Sequence, residues 1–188
     1  MRTFILLTSV TLLLFNCSKS DYIYPDTFHP PWPASDIHLT HGDVPYSLMD
    51  DLKTNKPRVT LLFFGFTHCP DICPATMQRS AQALTQLSAV EIEKIRFLFI
   101  SVDPARDTPK LANAYAEGFH PKMFGLSGTE AETAAVIKAY AVHTGNHNGE
   151  ISHSGAIYWI TPDAKVTKRI SQDFNAQDLA HDLKLAAR

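Results

Sequence analysis

The run Val59-Thr60-Leu61-Leu62-Phe63-Phe64-Gly65-Phe66 carries no charge and leads straight into Thr67-His68-Cys69-Pro70-Asp71-Ile72-Cys73-Pro74. Eight residues of unbroken apolar character, rich in branched and aromatic side chains, describe a strand buried on both faces, which needs cover above and below its sheet. The strand then breaks into a loop with two thiols four residues apart. Pro74 suits the first position of a following helix, which puts Cys73 at the cap and Cys69 in the loop before it. Both sulfurs then face the positive end of that helix, where unpaired amides favour thiolate, the form that attacks disulfides and binds copper or zinc. Asp71, between them, opposes this. A disulfide placed for stability alone is the plainer reading, but so short a loop gains little from closure. Chemistry explains the pair better.

The remaining pattern alternates. Residues 37–40 and 45–48 bracket His41-Gly42-Asp43 and suit a small hairpin. Met77, Ala81, Leu84 and Leu87 recur at helical spacing, predicting a helix over 74–90. A second buried strand is expected at 95–102, followed by Asp103-Pro104-Ala105-Arg106-Asp107-Thr108-Pro109. That motif reads as a structural corner, with Thr108 capping a helix that starts at Pro109 and that Gly118 ends, while Arg106 is available to steer a partner. A short strand at 123–126, a helix at 130–140, a hairpin of 156–160 with 166–170, and a last helix at 176–186 complete the chain. This order predicts an α/β fold, a thioredoxin-like central mixed sheet with helices on both faces and an added N-terminal hairpin.

Arg2 and the apolar stretch that follows it, about a dozen residues long, are too short to span a bilayer comfortably and predict a signal peptide over 1–16. Cys17 after Leu14-Phe15-Asn16 resembles a bacterial lipoprotein box, although Asn16 replaces the usual small residue, and an ordinary cleaved signal or an uncleaved anchor is the alternative. Lipidation of Cys17 leaves Cys69 and Cys73 as one functional pair, which suits an oxidising compartment. Residues 17–35, with Pro25, Pro30, Pro31 and Pro33, read as a lipid-anchored tether whose aromatics can dock on the domain at 36–188. The expected location is the bacterial cell envelope, facing the periplasm and held at a membrane, with Ser18 leaning towards the outer one. The 188 residues leave no room for a second domain, and a net charge of -2 supplies no basic stripe for nucleic acid.

Two thiolates alone rarely make a selective copper site, so a third ligand is expected from elsewhere. His153 is the candidate, because it sits immediately before the strand Ser154-Gly155-Ala156-Ile157-Tyr158-Trp159-Ile160, which in a thioredoxin-like sheet lies near the cysteine loop. The plainer reading is a histidine that caps a loop. His143 and His147 fall in a stretch, 143–149, read as a flexible loop, where they are solvated or act as auxiliary ligands.

The segment 59–74, the Asp103 to Pro109 motif, and His153-Ser154 ahead of a strand ending at Thr161-Pro162-Asp163 together resemble the Sco/SenC family, in the right order and over residues 37–188. The resemblance implies a membrane-tethered, thioredoxin-like copper protein that helps assemble the binuclear copper centre of cytochrome c oxidase. Its metal ligands, carried over, are Cys69, Cys73 and His153. The family usually has an aspartate before the ligand histidine, and here Ser152 stands there, with Glu150 two residues earlier; loss of a carboxylate partner loosens such a site. Copper(I) prefers thiolate while imidazole suits both oxidation states, so the set tolerates Cu(I) and Cu(II).

Three function classes follow. The first is a metallochaperone that needs His153 as well as both thiols and hands copper to the copper-bearing subunit of cytochrome c oxidase or another exported copper or thiol protein. The second is an enzyme, a thiol-disulfide oxidoreductase that needs only Cys69 and Cys73. A copper or redox sensor is a weaker third, and the cysteine spacing does not match the usual peroxiredoxin pattern.

Overall fold

The structure, a computed structural model, describes residues 21–142, 144–147, 150–153 and 155–188, with backbone alone at 144–147 and 150–153. The leader at 1–16 and Cys17 lie outside the described residues. In chain order, β1 (Trp32–Pro33) precedes a hairpin of β2 (His38–His41) and β3 (Val44–Ser47), with Gly42 in its turn, and α1 (Leu48–Thr54) follows, capped by Ser47. Then come β4 (Val59–Gly65), α2 (Ile72–Thr85), α3 (Ala89–Ile92), β5 (Ile95–Ser101) and α4 (Pro109–Phe119). The chain continues through β6 (Met123–Leu126), α5 (Glu130–Ala139), β7 (Thr144–His147), β8 (Glu150–His153), β9 (Ile157–Ile160), β10 (Lys165–Ile170) and α6 (Ala176–Ala186).

The six-stranded sheet has the order β1-β10-β9-β4-β5-β6, with β4, β5 and β6 parallel and the β9–β10 side antiparallel. It is the expected thioredoxin-like mixed sheet. All seven residues of β4 are buried, and strand pleating sends them alternately to two covered faces. Phe63 meets Phe99, which packs on Tyr115 of α4, whereas Phe64 meets Tyr140 and Tyr158 on the other side.

Local chemistry sets the helix starts. Thr108 accepts the Leu111 N–H ahead of Pro109, and Asn175 accepts the N–H groups of Gln177 and Asp178. Ser88 with Glu91 and Thr129 with Glu132 form reciprocal capping boxes. The first of these corrects the helix expected over 74–90, which closes at Thr85 because Ser88 starts a separate turn. Gly118 does not end α4, which runs to Phe119, whose ring packs on Tyr115. The stretch 143–149, expected as a loop, contributes β7, which pairs with β8 in the register Thr144 to His153. The dipeptide Asn148-Gly149 is the sequence signal for that hairpin.

Residues 21–33 lie on the domain. The backbone N–H groups of Ile23 and Tyr24 donate to the buried Asp182 at 2.7 and 2.9 Å, and the Lys168 ammonium donates to the Tyr24 carbonyl at 2.7 Å. β1 then covers the free edge of β10 through Trp32 and Pro33.

Candidate metal and redox centre

The cysteine loop leaves the carboxyl end of β4, and α2 begins two residues earlier than expected. Asp71 occupies the cap position without a side-chain cap bond, so Cys73 is the second residue of the helix and Pro74 the third. This corrects the placement of Cys73 at the cap. Its side chain turns inward and is fully buried, while Cys69 is half-buried at the surface. The two are adjacent, because the Cys73 N–H donates to the Cys69 sulfur at 3.4 Å. The helix start therefore supplies an amide to Cys69.

Burial pushes the Cys73 thiol well up. A backbone hydrogen bond from Phe66 works against this, while the Cys69 side chain and the charge of Asp107 add to it. The expectation that the helix end makes both sulfurs thiolates thus fails for Cys73, because desolvation outweighs the amides. A metal ion removes this conflict, since it replaces the proton on a sulfur.

Gly65 makes room for this thiol. A Cβ at that position would stand 2.9 Å from the Cys73 sulfur and 2.9 Å from Cε2 of Phe99. Any larger residue at the end of β4 would displace the site.

The Asp103 to Pro109 motif is built into the cysteine loop as its buttress. Asp107 is fully buried and accepts three hydrogen bonds, from Thr67 N at 2.9 Å, Thr67 Oγ1 at 2.6 Å and Ser101 Oγ at 2.7 Å. His68 Nδ1 lies 2.9 Å from Thr67 Oγ1 and 3.5 Å from Asp107. Arg106 pairs with Asp103 and lies over the Phe66 ring at 5.9 Å, leaving its guanidinium half-exposed beside the loop. The corner reading of the motif holds, and its link to Thr67 is a tertiary fact.

Chain direction explains how residues far along the sequence return to this place. β9 runs antiparallel to β4 with Ile157 opposite Phe63, so the chain entering β9 arrives where β4 ends. Gly155 packs there: a Cβ on it would stand 2.7 Å from Cγ2 of Ile72 and 2.3 Å from Oε1 of Gln172. Ile72 lies between the two cysteines in sequence, so the segment that follows β8 is seated on the start of α2. His153 ends β8 rather than preceding a strand that starts at Ser154, and its side chain, like those of His147, Glu150 and Ser152, lies outside the described residues. His143 lies outside them altogether. Among the described residues no three His, Cys, Asp or Glu side chains converge on one point, so the pair of sulfurs is the soft donor set on view. Two sulfurs fit copper(I) and need a partner from outside the pair.

Sequence reasoning did not single out Gly65, Gly155, Thr67 or Tyr115. Each reads locally as strand, loop or core.

The SCO1/SenC family model matches residues 50–188. The mitochondrial protein SCO2 of Saccharomyces cerevisiae is 36% identical over 129 residues, which cover 65% of this chain and 43% of that protein. The chain thus spans less than half the length of that relative. The solved structure of Bradyrhizobium japonicum ScoI with copper bound superposes with a TM-score of 0.71 and 32% identity, covering 82% of this chain and 99% of that one. The solution structures of apo Sco1 from Thermus thermophilus give a TM-score of 0.74 at 28% identity, covering 89% of this chain and 99% of that one.

Proposed function

Because this chain belongs to the SCO1/SenC family, we propose that it is a copper metallochaperone that delivers copper for assembly of the binuclear centre of cytochrome c oxidase, with Cys69, Cys73 and His153 as ligands. One observation carries the ligand set: the seating of Gly155 on Ile72, which brings the chain two residues after His153 against the turn that separates the two cysteines. The copper carried by the Bradyrhizobium japonicum relative supports the same cargo. Copper is cargo here. A half-exposed Cys69 leaves one side of the site open, so a partner's ligands can enter and take the ion by exchange while Cys73 still holds it from within. Anchoring through Cys17 at a bacterial membrane belongs to the same proposal, with residues 21–33 holding the domain close to the anchor. Among the described residues no helix is long and apolar enough to cross a membrane.

A second reading is favoured by the unequal exposure of the two sulfurs. An accessible Cys69 can attack a disulfide of an exported protein, forming a mixed disulfide and releasing one target thiolate. The buried Cys73 then attacks Cys69, the second target thiolate leaves, and the chain holds the two electrons' worth of oxidation as its own disulfide until an exported thiol reductant resets it.

Anaerobic copper(I) titration of the reduced full chain separates the two. The expected result is one copper per chain, affinity lowered at least about tenfold by His153→Ala, and disulfide exchange preserved in that variant. Wild-type copper affinity in His153→Ala overturns the ligand assignment. Efficient turnover of protein disulfides by a chain that retains no copper establishes the oxidoreductase instead.

A further inference from the structure

The hairpin that ends in His153 joins the domain through its two ends. β7 and β8 form a two-stranded sheet of their own, distinct from the six-stranded one. Before the hairpin the chain leaves the core at the buried Val142, and after it the chain re-enters at the buried Gly155, two residues beyond His153. The re-entry point is the nearer of the two to His153. What fixes Gly155 therefore fixes the end of β8.

Two side chains meet where Gly155 has none. A Cβ on it would stand 2.7 Å from Cγ2 of Ile72, and 2.3 and 3.1 Å from Oε1 and Cβ of Gln172, so the length of the glutamine lies across the glycine backbone. Ile72 belongs to α2 and separates the cysteines. Gln172 is half-buried in the turn between β10 and α6, and that turn is tied on both sides. Arg79 of α2 donates through Nη2 to the Gln172 carbonyl at 2.5 Å, and its guanidinium lies 5.6 Å from the centre of the Phe174 ring. The Phe174 N–H closes the turn on the Ser171 carbonyl at 3.3 Å, and the Asn175 N–H donates to the Tyr24 hydroxyl at 3.0 Å. The helix that carries Cys73 thus acts on Gly155 twice, directly through Ile72 and by way of Arg79 and Gln172.

We infer that Gln172 is a positioning residue for the His153 ligand: its side chain, anchored to α2 by Arg79, sets where Gly155 lies and so how closely the end of β8 approaches the cysteine pair. The inference rests on the proposed ligand set and adds to it a residue that touches no metal. A ligand on a segment that is already fixed spares copper binding the entropy of ordering that segment, so residues behind a ligand govern affinity as well as the ligand itself. What Gln172 offers Gly155 is shape, because both its Cβ and its terminal oxygen approach the same point. A side chain of equal length should serve as well.

Copper(I) affinity of the reduced full chain, measured by competition with a chromogenic chelator, tests this in Gln172→Ala and Gln172→Met, each alone and combined with His153→Ala. The first variant removes the side chain beyond Cβ, whereas the second keeps its length. The expected result is an affinity lowered about fivefold by Gln172→Ala and within about twofold of wild type in Gln172→Met. In the His153→Ala background, Gln172→Ala should change affinity by less than about twofold, a coupling that a role in stability alone would not produce. A loss of the same size with and without His153 overturns the inference, as does an equal loss in Gln172→Met. Wild-type affinity in Gln172→Ala beside a loss in His153→Ala overturns it alone and leaves the ligand set standing. Wild-type affinity in His153→Ala removes the ligand set, and this inference with it.

Discussion

Single atoms decide whether the two sulfurs can share a site. Gly65 is the clearest case, because its missing Cβ is the space in which the Cys73 sulfur and the Phe99 ring approach the end of β4. Gly65→Ala forces that thiol or ring to move, at a cost of about 1–3 kcal/mol for overpacking a filled core. Thermal unfolding should show a lowered Tm, and copper affinity should fall with it. An alanine variant with wild-type values of both would mean that the core yields there without strain. The two cysteines themselves are legible in the sequence as a pair, yet their inequality is not. Residue order says nothing about which sulfur a helix turns inward, and only the burial of Cys73 reverses the expected thiolate preference.

Elements are joined at this site by one carboxylate. Asp107 opens the way into α4, lies beyond the end of β5, and holds the loop that leaves β4 through both polar groups of Thr67. Asp107→Ala removes the acceptor of three hydrogen bonds and should cost about 3 kcal/mol, in the range for hydrogen bonds to a charged group. Amide hydrogen exchange at Thr67 should accelerate together with the stability loss, and copper binding should weaken although no ligand has been touched. Protection at Thr67 equal to wild type would show that the loop is held by something other than this carboxylate. The starts at Pro109 and Ala176 were legible, the first because Thr108 announces it as a cap. Helix boundaries were misjudged at Cys73, where Pro74 sits at the third helical position instead of the first, and at Ser88, whose cap cuts a continuous apolar pattern in two.

The whole molecule is closed by its own N-terminal stretch. Asp182 receives the amides of Ile23 and Tyr24, and Lys168, only 4% exposed, reaches the Tyr24 carbonyl and lies 3.8 Å from the centre of the Tyr22 ring and 4.8 Å from that of Trp159. β1 then covers a sheet edge that would otherwise invite pairing between chains. Asp182→Ala should release residues 21–33, seen as new cleavage within that stretch in limited proteolysis, with a loss of about 2 kcal/mol from the two unmatched amides. Resistance equal to wild type would place the hold on this segment elsewhere. The amino-acid sequence by itself determined the parts whose causes are local: the buried strand at β4, the thiol pair after it, the capped helices and the alternating order that makes the sheet thioredoxin-like. Only the tertiary structure decided that Asp107 reaches Thr67, that Gly155 rests on Ile72 and that Asp182 holds Ile23. Each of these joins residues tens of positions apart, and strand register and helix packing, which periodicity does not encode, bring them together.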